Sequence, residues 1–292
     1  MLRTYVLLLA FAAVVPSRAA GQTILRGERS LASDLEVGGE LKDVPSGATR
    51  FIRYVDLLGL PQVTYAVSDD ANLKGTAKIE GVALETLAQV LGAVLGEGPN
   101  DVMVVAICSD RYRANYPHDY TAAHRPVLVL KINGDGPEKW PKSENGGPLG
   151  PYLISHPFFK PGFKVLSHED EAQVPFGVTR VEIRRESRVF GAIQPLSDVA
   201  AGSAVGQGYA IARQDCFRCH NMGAEGGTLA GRTWIELGTM AAGDPRRFRQ
   251  TIHDPASVTP GAKMPAHGNY DGATLDALTA YFRTFAASGS GR

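Results

Sequence analysis

Apolar residues are spaced in two different ways along this chain, and the change of spacing falls near residue 195. Before it they come in short runs or in alternation. Residues 102–107 are a continuous apolar run of strand length, and 127–132 form another after the Arg125-Pro126 break. Residues 64–67 read as a strand stopped by Ser68-Asp69-Asp70, 152–154 as a short apolar strand, and 179–184 alternate as a half-exposed strand does. One amphipathic helix interrupts this series after Gly81, with Leu84, Leu87, Leu91 and Val94 on one face and Glu85, Thr86 and Gln89 on the other. Residues 48–60 mix β-branched and aromatic side chains up to Pro61, and residues 20–47 show no sustained period and are expected to wrap the surface. The pattern predicts a mixed α+β domain, largely β, over residues 48–190.

Composition turns small and polar around Pro195, which predicts a linker over 191–197 and a second, all-α domain over 198–286. A helix over 199–213 carries Val205, Tyr209 and Ile211, and Gly206 and Gly208 leave a shallow place on it where another helix can come close. A Gly-rich loop runs from Asn221 to Gly231, and Trp234 and Leu237 belong to a short helix. Residues 245–253 are another helix, opened by Pro245. The last helix starts at Asp271 as N-cap and aligns Leu275, Leu278, Phe282 and Phe285, and a flexible tail follows at 287–292.

The N-terminus adds a compartment. Met1-Leu2-Arg3, an apolar run from Tyr5 to Val15 and the small residues of Ser17-Arg18-Ala19 have the form of a secretory signal over residues 1–19. The run is too short to span a bilayer, and no later segment is long and apolar enough to do so, so no stable membrane insertion is expected after cleavage. An exported, periplasmic protein of a bacterium is the expectation. Charge removes one class of partner: residues 20–196 carry 19 basic against 22 acidic side chains and residues 197–292 carry 9 against 8, which is no footprint for nucleic acid.

The chemistry is concentrated in Cys216-Phe217-Arg218-Cys219-His220. Two thiols three positions apart with an imidazole directly after them are the arrangement of c-type haem attachment, in which the thiols bond the porphyrin edge and His220 becomes an iron ligand. A thioredoxin-like pair or half a zinc site would use the same spacing, but the one other cysteine is Cys108 and no βαβ pattern surrounds the motif. Export agrees with this, because c-type haem is attached outside the bacterial cytoplasm. One haem c per chain is expected. For the sixth position the candidates are Met264, in the loop Thr259-Pro260-Gly261-Ala262-Lys263-Met264-Pro265; His267, three residues on; Met240; and Met222, which is too near His220 in sequence to reach the other side. His253 has the place of a helix end rather than of a ligand.

Motif, loop order and helix pattern over about 198–286 resemble a class I cytochrome c. That resemblance implies Met264 as the axial thioether, a backbone carbonyl of the 221–231 loop accepting from the His220 ring, and a crossing of first and last helices with Gly206 or Gly208 against Tyr281 or Phe282. The N-terminal segments resemble the sulfite-oxidase-like molybdopterin-binding fold over about residues 50–186. The residues that carry this are Gly81-Val82-Ala83-Leu84, the strand into Cys108-Ser109-Asp110-Arg111-Tyr112, Gly147-Pro148-Leu149 before 152–154, and residues 178–183. The resemblance implies a molybdenum site with Cys108 as thiolate ligand and Arg111, Arg113, His118 and His124 near a pterin phosphate. This chain departs from it after the cysteine, where catalytic members have Ala-Gly-Asn-Arg, and in the brevity of the domain, so the reading favours Cys108 as a buried thiol and a domain without molybdopterin. The function expected is one-electron transfer to a periplasmic redox partner protein, with no bond-breaking catalysis and with the N-terminal domain as a binding or docking module. A molybdenum oxidoreductase that passes electrons to its own cytochrome is the alternative.

Overall fold

The computed structural model describes residues 24–92, 101–143, 146–195 and 199–286. The expected signal at 1–19, the tail at 287–292 and Val94 lie outside the described residues. The N-terminal region is largely β. Strands β1 (Leu35–Gly39) and β2 (Arg50–Ile52) lead through helix α1 (Tyr54–Leu58) into β3 (Val63–Asp70) and β4 (Leu73–Ala83). Helix α2 (Leu84–Val90), β5 (Val102–Cys108), β6 (Arg113–Tyr116), α3 (His118–His124), β7 (Val127–Ile132) and β8 (Tyr152–Ser155) follow. A two-stranded hairpin of β9 (Lys164–Val165) and β10 (His168–Glu169) precedes the long β11 (Phe176–Arg185). Among the described residues nine of these strands make one sheet in the order β2-β1-β11-β8-β7-β4-β3, with β5 on β11 and β6 beyond it.

The alternation that predicted strands survives in the packing. On β11, Val181 and Ile183 are buried while Thr179, Arg180, Glu182 and Arg184 are partly exposed, and Arg180 and Arg184 both pair with Glu182 along the exposed row. Leu84, Leu87 and Leu91 of the amphipathic stretch are buried against the sheet. Two segments differ from expectation. Within residues 20–47, β1 is a core strand with Leu35 and Val37 fully buried, joined in parallel to β11. Two apolar residues are too few to reveal a period, and the strand is held between β2 and β11, the latter more than a hundred residues away. Residues 48–60 divide into β2 and α1 rather than a single segment.

The C-terminal region is helical: α4 (Glu186–Gly191), α5 (Ala204–Gln214), α6 (Trp234–Gly243), α7 (Pro245–His253), α8 (Pro255–Val258) and α9 (Gly272–Arg283), with a small β-hairpin, β12 (Asn221–Met222) and β13 (Glu225–Gly226). Helix α5 begins later than its apolar pattern because Ser203 caps it, its Oγ accepting from the Gly206 amide at 3.1 Å. Asp271 caps α9 in the same way through the Thr274 amide, at 2.8 Å. Helices α5 and α9 cross at Gly208, where a Cβ would stand 2.1 Å from the Ala277 carbonyl oxygen and 2.7 Å from Tyr281 Cβ. Gly206 lies instead against the turn that precedes its own helix.

The two regions share a core. Val104, Ala106 and Cys108 of β5 face the interior of the N-terminal region, and Met103 and Val105, on the other face of the same strand, pack with Phe190, Ile193, Phe217 and Phe282 of the helical region. This is why residues 102–107 are apolar at every position rather than alternately. Ile193, inside the stretch expected to be a linker, is fully buried, and its carbonyl accepts from the Tyr281 hydroxyl at 2.5 Å.

Candidate functional site

Helix α5 delivers the cysteine motif in one tight turn. The amides of Cys219 and His220 both donate to the Cys216 carbonyl, at 3.2 and 3.0 Å, which gathers the two thiols and the imidazole into a single turn. Phe217 points away from them into the helical core, edge-on to Trp234 with ring centroids 5.3 Å apart. The Gly-rich loop then folds back closely: Gly227 donates to the Phe217 carbonyl at 3.0 Å, and a Cβ on Gly227 would lie 1.8 Å from the Arg218 carbonyl oxygen. No other residue type fits there.

Cys216, Cys219, His220, Met264 and His267 line one cavity, closed on its apolar side by Leu237, Phe248, Ile252 and Phe282. His220 is oriented by a hydrogen bond from Nδ1 to the Arg232 carbonyl, 2.7 Å, one residue past the loop expected to supply it. Burial holds its pKa below the ordinary histidine value. With Nδ1 carrying the proton, Nε2 keeps its lone pair, as a metal-ligating imidazole requires. Burial also pushes the thiols up, Cys219 to about 11 despite the opposing charge of Arg218. They are protonated thiols at neutral pH. Met264 is half-buried against the helical core and lines the cavity with Pro265. Met240 lines it too, whereas Met222 packs against the core. His253 is exposed.

Two wall residues come from the N-terminal region and carried no signal in the sequence: Tyr112 and Glu171. Between them and the cysteines sits Arg218, whose Nε donates to the Gln214 carbonyl at 2.7 Å and whose guanidinium lies 3.5 Å from Asp215 and 4.0 Å from Glu171. Burial alone would lower its pKa, but Tyr112, Asp215 and Glu171 outweigh it, so the guanidinium is charged. Its Nη2 is buried on the cavity wall with no hydrogen-bond partner among the described residues. Thiols, a neutral imidazole, a thioether and an apolar lining are the donor set of a covalently held haem, and these residues fit that group.

Residues 203–282 match the family described as cytochrome C oxidase, cbb3-type, subunit III. The C-terminal region carries a cytochrome c domain. Among solved structures, the sulfane dehydrogenase SoxCD from Paracoccus pantotrophus is 17% identical, with a TM-score of 0.34, over 53% of this chain and 40% of that one. The chain thus spans less than half the length of that protein. No curated protein matches the chain.

Of the residues grouped by sequence around Cys108, Arg111 stays in the turn at the cysteine, its amide donating to the Cys108 carbonyl at 2.9 Å, while Arg113 and His124 turn to other partners. Cys108 is buried at the end of β5 in an apolar cluster, and burial, reinforced by the negative charge of Asp110, pushes its thiol well above the ordinary cysteine range. Arg113 crosses to Glu225 of the helical region at 2.9 Å, and His124 is bonded to Asp170 at 2.9 Å. Arg113 and His124, which the resemblance would set near a pterin phosphate, are thus each already paired with a carboxylate of the chain's own.

Proposed function

We propose that the protein is an exported electron carrier holding one haem c, attached through Cys216 and Cys219, with His220 and Met264 as axial donors. When bound, the haem iron supplies a reversible one-electron couple; the chain's own residues hold it and exclude water. The observation that carries the reading is the fixed His220 ring, Nδ1 on the Arg232 carbonyl at 2.7 Å, in a cavity shared with both cysteines and Met264. Leu237, Phe248 and Phe282 make that cavity apolar, which favours the less charged ferrous state, and the thioether of Met264 favours it further. The buried, charged Arg218 acts in the same direction, although Asp215 and Glu171 offset part of its charge. The N-terminal region is a docking part that covers the Tyr112 and Glu171 side of the site, and the partner is a periplasmic redox protein.

The test is covalent haem in the purified full chain. Haem stain is expected to migrate with the polypeptide on denaturing gels and to vanish in the double variant Cys216→Ser, Cys219→Ser. Met264→Ala should remove the red charge-transfer absorption of an iron–thioether bond and lower the midpoint potential. Haem that is extracted by acidified solvent overturns the reading.

A further inference from the structure

The hairpin of β9 and β10 belongs to the N-terminal region by sequence, yet the side-chain bonds of its tip, among the described residues, go to the helical region. Leu166, the first of the two loop residues, takes φ +55, a left-handed conformation that is unfavourable for a non-glycine residue. That turn presents Ser167 and His168 to the segment after Met264. Ser167 Oγ meets Thr274 Oγ1 at 2.5 Å and accepts from the Asp271 amide at 2.9 Å, and the Ser167 amide donates to Thr274 Oγ1 at 3.1 Å. His168 is fully buried, with Nδ1 2.8 Å from the Tyr270 hydroxyl and Nε2 2.5 Å from Gln214 Oε1.

The hydrogen-bond directions are fixed by the neighbours. Gln214 donates its amide Nε2 to Asp170, so its oxygen faces His168 and must accept. Tyr270 donates its hydroxyl hydrogen to Asp215, so its oxygen is free to accept from His168 Nδ1. The Asp215 carboxylate also lies 3.4 Å from Nδ1. Tyr270 in turn stacks on His267, centroids 4.7 Å apart and planes 23° apart, and its amide donates to the His267 carbonyl at 3.0 Å. His267 is anchored through its amide to the Ile252 carbonyl at 3.1 Å. Every link from the hairpin tip to the residue three places after Met264 is thus a hydrogen bond or a ring contact.

We infer that Ser167 and His168 are positioning residues for the sixth iron ligand: the hairpin latches the return of the Met264 loop into the last helix and so holds the thioether at the haem. The inference rests on the axial role of Met264 proposed above. It makes the N-terminal region part of the ligation machinery, because a loop rich in Pro and Gly, Pro260-Gly261 and Pro265, has little regular structure of its own to hold a ligand against water.

The experiment uses the full holoprotein as wild type, Ser167→Ala, Tyr270→Phe, and His168→Phe, with Ser167→Thr as the conservative control that keeps the hydroxyl. Three readouts are taken: the iron–thioether absorption, the midpoint potential, and hydrogen exchange of the Tyr270 and Asp271 amides. Removing the latch should weaken the absorption, lower the potential, and speed exchange about fivefold or more, since each broken buried bond lowers the cost of local opening. Ser167→Thr should restore all three. If His168→Phe fails to fold, Ser167→Ala and Tyr270→Phe, which each remove one hydroxyl, decide the matter. A wild type with the thioether absorption and variants that keep absorption, potential and exchange unchanged overturn the latch alone. A wild type without that absorption overturns the Met264 reading, and the latch with it.

Discussion

His156 carries the clearest pH consequence of any single side chain. It is buried beside Tyr120, whose hydroxyl lies 3.1 Å from Nε2, and its Nδ1 has no hydrogen-bond partner among the described residues. Burial, and secondarily the nearby His124, lower its pKa to about 3. A base whose folded pKa is depressed binds a proton more readily when unfolded, so its contribution is fully present above the unfolded value of about 6.5 and is lost as pH falls toward 3. Between pH 7 and pH 5, above the range of most carboxylates, this one residue should remove about 2 kcal/mol of stability. Urea unfolding at the two pH values measures it, and in His156→Phe the difference should shrink by that amount. An unchanged difference would mean that water reaches the ring.

At the scale of elements, the crossing of α5 and α9 depends on one missing methyl group. A Cβ at Gly208 would collide with the backbone of α9 at Ala277, which cannot turn aside as the end of a side chain can, so Gly208→Ala must push the helices apart. A loss of about 3 kcal/mol is expected from the overpacking. The neighbouring Gly202→Ala, where nothing lies within 4 Å of the added carbon, should cost little and serves as control. Chemical denaturation of the two variants side by side gives the comparison. Near-equal stabilities would place the closest approach elsewhere along the crossing. Helix α5 also carries Gln214, Asp215 and the cysteine turn at its end, so a shift there should appear in the haem absorption as well.

For the whole molecule, the seam between sheet and helices decides whether the chain behaves as one unit. Glu225, on the small hairpin after the haem motif, receives Arg113 at 2.9 Å and Arg184 from the opposite side of the seam, and Arg113 is only 5% exposed. Glu225→Gln leaves buried guanidinium charge without its counter-ion, a loss of about 3 kcal/mol. Because Met103 and Val105 place the sheet in the helical core, the wild type should unfold in a single calorimetric transition. In Glu225→Gln the midpoint should fall, and the helical region should begin to melt separately. Two well-separated transitions in the wild type would show that the shared core does not couple the regions.

Local signals in the sequence were enough for the strands over 102–107, 127–132 and 179–184, for helix 245–253, for the Asp271 cap and for the cysteine–histidine turn, because each depends on residues within a few positions of one another. Chemistry that needs adjacent residues can be read from their order: two thiols and an imidazole in one turn have few other uses. Strand β1, the burial of Ile193, the Tyr112 and Glu171 wall, and the contacts of Ser167 and His168 could not be read, since each is defined by a partner tens to more than a hundred residues away. The basic and imidazole residues from Arg111 to His124 show the same limit from the other side. Close in sequence, Arg113 and His124 are separated by tertiary structure because strand β6 and helix α3 turn Arg113 toward Glu225 and His124 toward Asp170. The sequence by itself determined which residues could hold an iron; the tertiary structure decided which surface closes over them, because long-range packing selects the neighbours that bury a charge or orient a ring.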